Sequence, residues 1–311
     1  MPDDRLGVAM NRLFVDEEYP YRSHRWDRGS GIHMHYVDEG RGDPIICVHG
    51  NPTWSFYFRK LVQELSRSHR VIAVDHVGCG FSDFPDEDQY GYRLADRIDD
   101  LERLLDHLEI TSNAMLVAHD WGGAIGFGVA GRNPGRFSSL VAMNTAAFRL
   151  PDGKEFPKIL RPVRGPLGEF LIRGLNAFVN GTFMIGTRRR KLSRTERADY
   201  RSPYHDWRSR LAIHRFVQDI PLQPSDPSWE TLVEVETGLS ALADHPLLLL
   251  WGTKDPVFDE AFLDEWRSRF PDAHHRKWQD CGHLLLDDAA GPVISEIRSF
   301  RESIARERSY Q

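Results

Sequence analysis

Asp120 stands where an apolar run, Met115 to Ala118, meets the stretch Trp121-Gly122-Gly123. A short buried strand that ends on an ionisable residue and turns at once into a helix holds that side chain out at the top of a sheet. Ala118 and Gly122 occupy the small-residue positions that flank such an elbow. Gly122 and Gly123 let helix and strand approach where a side chain would clash. An Asp that only caps a helix would need none of this setting. A serine at the elbow suits acyl transfer, whereas a carboxylate suits displacement at carbon and leaves an alkyl ester on the enzyme. Water must then cleave that ester, and the usual base near pH 7 is a neutral histidine. An orienting acid and then a histidine are therefore expected after Asp120.

Both are present. Asp255 ends Trp251-Gly252-Thr253-Lys254-Asp255, after the apolar run Pro246 to Leu250, and Asp259 is the second candidate for the acid. His283 ends Asp280-Cys281-Gly282-His283, just after the strand-like segment His274 to Trp278. Upstream, Pro44 to Val48 runs into His49-Gly50-Asn51-Pro52-Thr53-Trp54. Asn51, Asp120, Asp255 and His283 thus fall at four strand ends, on the side where open α/β sheets present functional groups. His119 reads as a shape-giving neighbour of the nucleophile and His49 as a loop-positioning residue.

The elements that must position these residues alternate. Tyr19 to Trp26 reads as an edge strand, the alternating Ile32 to Val37 as a second strand, and Pro44 to Val48, Val71 to Asp75, Met115 to Ala118 and Ser139 to Asn144 as further strands. Helices are expected over Phe56 to Ser66 and over Leu94 to Leu108, where Leu94, Ile98, Leu101, Leu104, Leu105 and Leu108 make one apolar stripe. Such alternation predicts a mostly parallel α/β sheet flanked by helices. The pattern breaks over 151–228, where prolines and apolar helical stretches (Leu167 to Phe183, Leu211 to Val217) replace strands. It resumes at Pro246, with helices over Ala261 to Phe270 and Val293 to Ala305. The expected organisation is a core domain of 1–150 and 229–311 with a helical cap of 151–228 inserted into it.

With these motifs in hand, the chain resembles the α/β-hydrolase fold, and within it the haloalkane dehalogenases. The resemblance spans nearly the whole chain and rests on His49 to Trp54, Asp75 to Asp83, His119 to Gly123, Trp251 to Asp255 and Gly282-His283. It implies Asp120 as nucleophile, His283 as general base and a carboxylate that orients it. One branch of the family places that acid after the strand before the cap, but here that place reads Met143-Asn144-Thr145; the other arrangement points to Asp255. The resemblance further implies that the Asn51 amide and the Trp121 indole N–H hold the leaving halide, and that their backbone N–H groups form the oxyanion hole. Asn144 to Phe148, Arg215 to Leu222 and Asp280 to His283 resemble the third dehalogenase subfamily, which includes the β-lactone decarboxylases of bacterial long-chain olefin formation. The first expectation is dehalogenation of an apolar haloalkane; the alternative is a long-chain cis-β-lactone, converted by the same residues to an alkene and carbon dioxide. Epoxide hydrolases share the Asp elbow and use cap tyrosines, for which Tyr200 and Tyr204 are candidates. A non-catalytic binder of this fold would tend to lack a triad member, and none is missing.

Composition narrows the rest. The 311 residues carry a net charge of -6, which gives no global footprint for nucleic acid. Cys47, Cys79 and Cys281 are read as free thiols in a reducing compartment. The residues Met1 to Arg5 lack a signal pattern and no apolar run nears the ~20 residues of a membrane helix, so a cytoplasmic enzyme is expected. No C-x-x-C, no P-loop and no G-x-G-x-x-G opening a helix calls for a metal or cofactor. Substrate lining is expected from the cap, from Leu167, Phe170, Leu171, Leu175, Phe178, Val179, Phe183 and Phe216. Arg188-Arg189-Arg190-Lys191 is a local basic run, read as a solvated face or a docking surface for membrane or partner protein.

Overall fold

The uninterrupted apolar runs become the interior of an eight-stranded sheet. The structure, a computed structural model, describes residues 19–309, so the N-terminal segment read for targeting lies outside it. In chain order the strands are β1 (Ser23–Asp27), β2 (His33–Glu39), β3 (Pro44–Val48), β4 (Arg70–Val74), β5 (Ala114–Asp120), β6 (Phe137–Thr145), β7 (Leu247–Gly252) and β8 (His274–Trp278). They lie side by side as β1-β2-β4-β3-β5-β6-β7-β8. β2 pairs antiparallel with β1 and β4, and the remaining neighbours are parallel. β5, β6 and β7 are buried at every residue, because helices cover both faces of a parallel sheet. The fold is therefore the expected one, a mostly parallel sheet flanked by helices.

On one face pack α2 (Leu94–His107), α3 (Trp121–Arg132), α7 (Trp229–Gly238) and α8 (Glu260–Arg269), through Ile98, Ile125, Leu232 and Phe262. On the other lie α1 (Arg59–Leu65) and α9 (Leu285–Ser309), through Leu61, Val293 and Ile297. The stripe read from Leu94 onward is the buried face of α2. Gly126 to Gly131 carries the letters of a dinucleotide loop but sits inside α3, where it lets neighbours close in. A Cβ on Gly128 would come within 2.7 Å of Ile98.

Residues 151–228 join β6 to β7 without a strand and carry α4 (Ala177–Ile185), α5 (Arg194–Arg201) and α6 (Leu211–Gln218). The apolar stretch expected as one helix from Leu167 to Phe183 is broken. A π-helical turn, Phe170–Gly174, is separated from the helix that starts at Ala177 by Asn176, whose φ of 52° lies in the left-handed region that asparagine tolerates. Helix α9 starts at Leu285, earlier than the expected Val293, and carries a kink at Ala289.

Candidate active site

Each chemistry-bearing residue sits just past a strand of this sheet. Asp120 ends β5 with φ 53° and ψ -127°, a conformation a non-glycine residue adopts only under constraint. The surroundings supply that constraint. A Cβ on Gly50 would fall 2.0 Å from Asp120 Oδ1, and one on Gly122 would fall 2.0 Å from the Val48 carbonyl oxygen. The Thr145 hydroxyl donates to the Asp120 carbonyl. The Asp120 side chain makes no cap bond to α3, so capping does not account for it. Instead Oδ1 accepts the Asn51 backbone N–H at 2.6 Å.

Burial pushes the Asp120 carboxyl up, while His283 and the Trp121 and Asn51 amides pull it back. The His283 Nε2 lies 3.6 Å from Asp120 Oδ2, and its Nδ1 lies 2.8 Å from Asp255 Oδ2. Asp255 is buried and its other oxygen accepts the Val257 N–H at 2.8 Å, which fixes the carboxylate. For His283, burial alone would disfavour the charged ring, but Asp255 and then Asp120 outweigh it and raise the pKa to about 9. Asp259, the second candidate acid, faces away: it caps α8 and pairs with Lys154. Asn144, at the place where a branch of the family carries its acid, ties β6 to β7 by exchanging hydrogen bonds with the Gly252 backbone at 2.8 and 3.0 Å.

Asn51 and Trp121 complete the site. The Asn51 Nδ2 donates to the Ile213 carbonyl of α6 at 3.1 Å, which orients the amide and leaves its second N–H for a ligand. Trp121 packs against Phe216, ring centres 5.3 Å apart. Asn51, Asp120, Trp121 and His283 all line one cavity of about 330 Å³. Its walls are apolar, with Phe148, Phe178, Ile185, Val217, Leu232 and Phe258 among them. Of the expected cap lining, Phe178 reaches the cavity, whereas Leu167, Phe170 and Leu175 are solvent-exposed and Val179 and Phe183 are core residues. The lining also takes Phe148, Leu232 and Phe262 from core elements, which no local pattern marks as pocket residues.

His119 Nε2 lies 2.9 Å from the His283 carbonyl oxygen, and its ring packs between Tyr57 and His283. Burial and the neighbouring His283 hold it well below the ordinary histidine range, so it donates as a neutral ring. His49 bridges the Gly50 carbonyl and the His76 N–H. Tyr200 and Tyr204 are fully buried, bonded to Asp287 and to the Thr53 carbonyl, and neither lines the cavity. An epoxide-hydrolase reading loses its proton donors there.

In the basic run Arg188, Arg189 and Lys191 are exposed, and two of its side chains are paired within the chain. Arg189 pairs with Asp280 and Arg190 with Glu196, both with carboxylates of this chain. The backbone N–H groups of Arg188, Arg189 and Arg190 converge on the Asp288 carboxylate, which also accepts the Gly282 N–H at 2.7 Å. Residues 188–190 are thereby stapled to the loop that carries His283, a contact without a signal in the sequence. Among the described residues no helix is long and apolar enough to cross a membrane, and no cluster of His, Cys, Asp and Glu could hold a metal ion.

The family described as alpha/beta hydrolase fold matches residues 43–290. The chain belongs to the α/β-hydrolase family. Within it, the chain is 45% identical to the cis-3-alkyl-4-alkyloxetan-2-one decarboxylase of Shewanella oneidensis, over 92% of this chain and 90% of that one. It is 41% identical to the protein of the same name from Xanthomonas campestris pv. campestris, over 91% and 97%. Among solved structures of this α/β-hydrolase family, the haloalkane dehalogenase DbeA from Bradyrhizobium elkani superposes with a TM-score of 0.80 at 29% identity, over 92% of this chain and 99% of that one.

Proposed function

We propose that the protein is a β-lactone decarboxylase that takes a cis-3,4-dialkyl oxetan-2-one into its apolar cavity and releases an alkene and carbon dioxide. The observation that carries this is the 45% identity to a decarboxylase of such lactones along nearly the full length of both chains. The geometry supplies a mechanism. Asp120 Oδ2, the oxygen not held by Asn51, attacks the ring carbon C4, and the C4–O bond breaks with inversion. The released carboxylate remains on C3 and is held by the Asn51 and Trp121 side-chain N–H groups, as donors aimed at developing charge. The bond from C3 to the carboxylate then breaks, its electron pair forms the double bond, and the C4–O bond to Asp120 breaks to restore the carboxylate. Inversion followed by anti elimination keeps the cis relation, and no water is consumed. The His283 imidazolium, with Asp255 behind it, faces the Asp120 oxygen that leaves. In this reading residues 151–228 act as a cap domain that shapes the cavity.

A second reading, haloalkane dehalogenation, is favoured by the likeness to DbeA and uses the same residues. Here Asp120 displaces halide toward Asn51 and Trp121, and water then attacks the ester carbon. Oδ1 becomes the oxyanion, facing the Asn51 and Trp121 amides. Esterification removes the Asp120 negative charge beside the His283 ring, which lowers its pKa and frees it to act as the base. Purified protein given synthetic cis-3,4-dialkyl oxetan-2-ones and, separately, bromoalkanes tests both, with Asp120→Ala as the blank. Alkene and carbon dioxide above the blank are expected. Halide release without alkene would make the protein a dehalogenase, and neither product from folded protein would sink both readings.

A further inference from the structure

Arg97, on α2, is buried at 1% exposure. One guanidinium N–H donates to the Tyr92 carbonyl, while Nε and Nη2 have no hydrogen-bond partner among the described residues. Arginine stays charged in proteins, and a buried cation without a carboxylate partner is among the costliest groups a fold can hold. Its guanidinium carbon lies 3.7 Å from the centre of the Phe216 ring, and that ring centre lies 5.3 Å from that of Trp121. The charge is therefore held within 9.0 Å of the Trp121 ring centre, the two distances laid end to end.

Its field reaches the wall beside Asn51. Burial is the main cause that lowers the His49 and His76 rings, and Arg97 adds to it in both. The reaction moves negative charge from Asp120 to the leaving group, and a cation behind the Phe216 and Trp121 rings attracts an anion held against them. We infer that Arg97 is a positioning residue that acts through Phe216 and Trp121, making the leaving-group corner of the site more positive. This rests on the reading of Asn51 and Trp121 as leaving-group donors. A unit charge roughly 12 Å from an anion that sits past the Trp121 ring centre, in a medium of effective dielectric about 20, changes anion affinity by about tenfold.

The test is the dissociation constant of sodium bromide, measured by isothermal titration calorimetry at constant ionic strength. Arg97→Met and Arg97→Gln should weaken bromide binding by about tenfold. Arg97→Lys should keep wild-type affinity at low pH and lose it as pH rises, because a buried ammonium gives up its proton far more readily than a guanidinium. Below the pH of about 9 at which His283 gives up its own proton, wild type should stay level, and a loss of packing alone would not produce that difference. Neutral variants that bind bromide as tightly as wild type, or an Arg97→Lys variant as weak as Arg97→Met at every pH, would overturn the inference. If the neutral variants do not fold, the pH series on Arg97→Lys carries the test alone. A wild type that binds no bromide, or a Trp121→Phe variant that binds it undiminished, would instead overturn the leaving-group reading.

Discussion

At the scale of single residues, the site is an arrangement of charges around one carboxylate. His283 stands between Asp255 at 2.8 Å and Asp120 at 3.6 Å, and this sandwich keeps its proton up to about pH 9. Asp120→Asn should therefore lower the His283 pKa, which an NMR titration of the ring would read; an unchanged pKa would mean that the Asp120 carboxylate does not act on the ring. A raised folded-state pKa stabilises the protein below the ordinary 6.5 of histidine, and that contribution fades as pH rises through about 9. His283→Ala removes the imidazole but leaves the Asp120 carboxylate. Intact-protein mass after exposure to a reactive bromoalkane should show a stable alkyl adduct on that variant and none on Asp120→Ala. Failure to form it would count against nucleophilic attack by Asp120.

At the scale of elements, the strands deliver the residues and the segments after them hold them still. The Asp288 carboxylate gathers three backbone N–H groups from 188–190 and one from Gly282, next to His283. Asp288→Ala leaves these donors without their acceptor in a mostly buried place, at a cost of about 1–3 kcal/mol for such a loss. Turnover should fall with it, because the His283 loop loses its tie to residues 188–190, while Asp120 can still be alkylated. Equal losses of alkylation and turnover would contradict that role. The glycines at the elbow are as demanding. Gly50→Ala would drive a methyl into the Asp120 carboxylate, so the variant should lose alkylation even where circular dichroism shows it folded.

At the scale of the molecule, a buried ionic network joins the segment 151–228 to helices that flank the sheet. Arg59 of α1 pairs with Glu196 of α5 and Asp287 of α9, each at 2.9 Å, and Tyr200 donates to Asp287 at 2.6 Å. Burial pushes the Glu196 carboxyl up, but hydrogen bonds from Arg190 and the Ser193 N–H, with the Arg190 and Arg59 charges, hold it at about 2. A depressed pKa stabilises the fold above the ordinary 4.5 of glutamate, and that share is lost as pH falls from about 4.5 toward about 2. Glu196→Ala leaves Arg59 and Arg190 without this partner. It should cost about 3 kcal/mol in chemical denaturation at neutral pH, with a shallower loss of stability on acidification. A neutral-pH stability equal to wild type would show that the network contributes nothing net.

What the sequence alone determined is what local patterns carry. The apolar runs set the strands, the abrupt end of one of them on Asp120 set the elbow, and the spacing of Asp255 and His283 put each just past a strand. The α/β fold and its reading as a hydrolase relative followed from these, because strand ends and small residues are read from neighbours in the chain. Relations between distant segments were left to the tertiary structure. The place of Asp255 directly at a strand end favours it over Asp259, but only the structure turns it toward His283, and nothing local tells that Asn176 breaks the first long helical stretch of 151–228. The same holds for Arg188 to Arg190, whose amides close on Asp288 about 100 residues away, at once a staple and the reason that part of this basic run is already partnered. The cavity wall joins Phe178 and Ile185 of the segment 151–228 to Phe148, Leu232 and Phe262, and the Arg97 charge meets Phe216 across α2 and α6. These contacts depend on how helices pack over the sheet, and packing is decided by the shapes of all the surfaces at once rather than by the order of residues along any one of them.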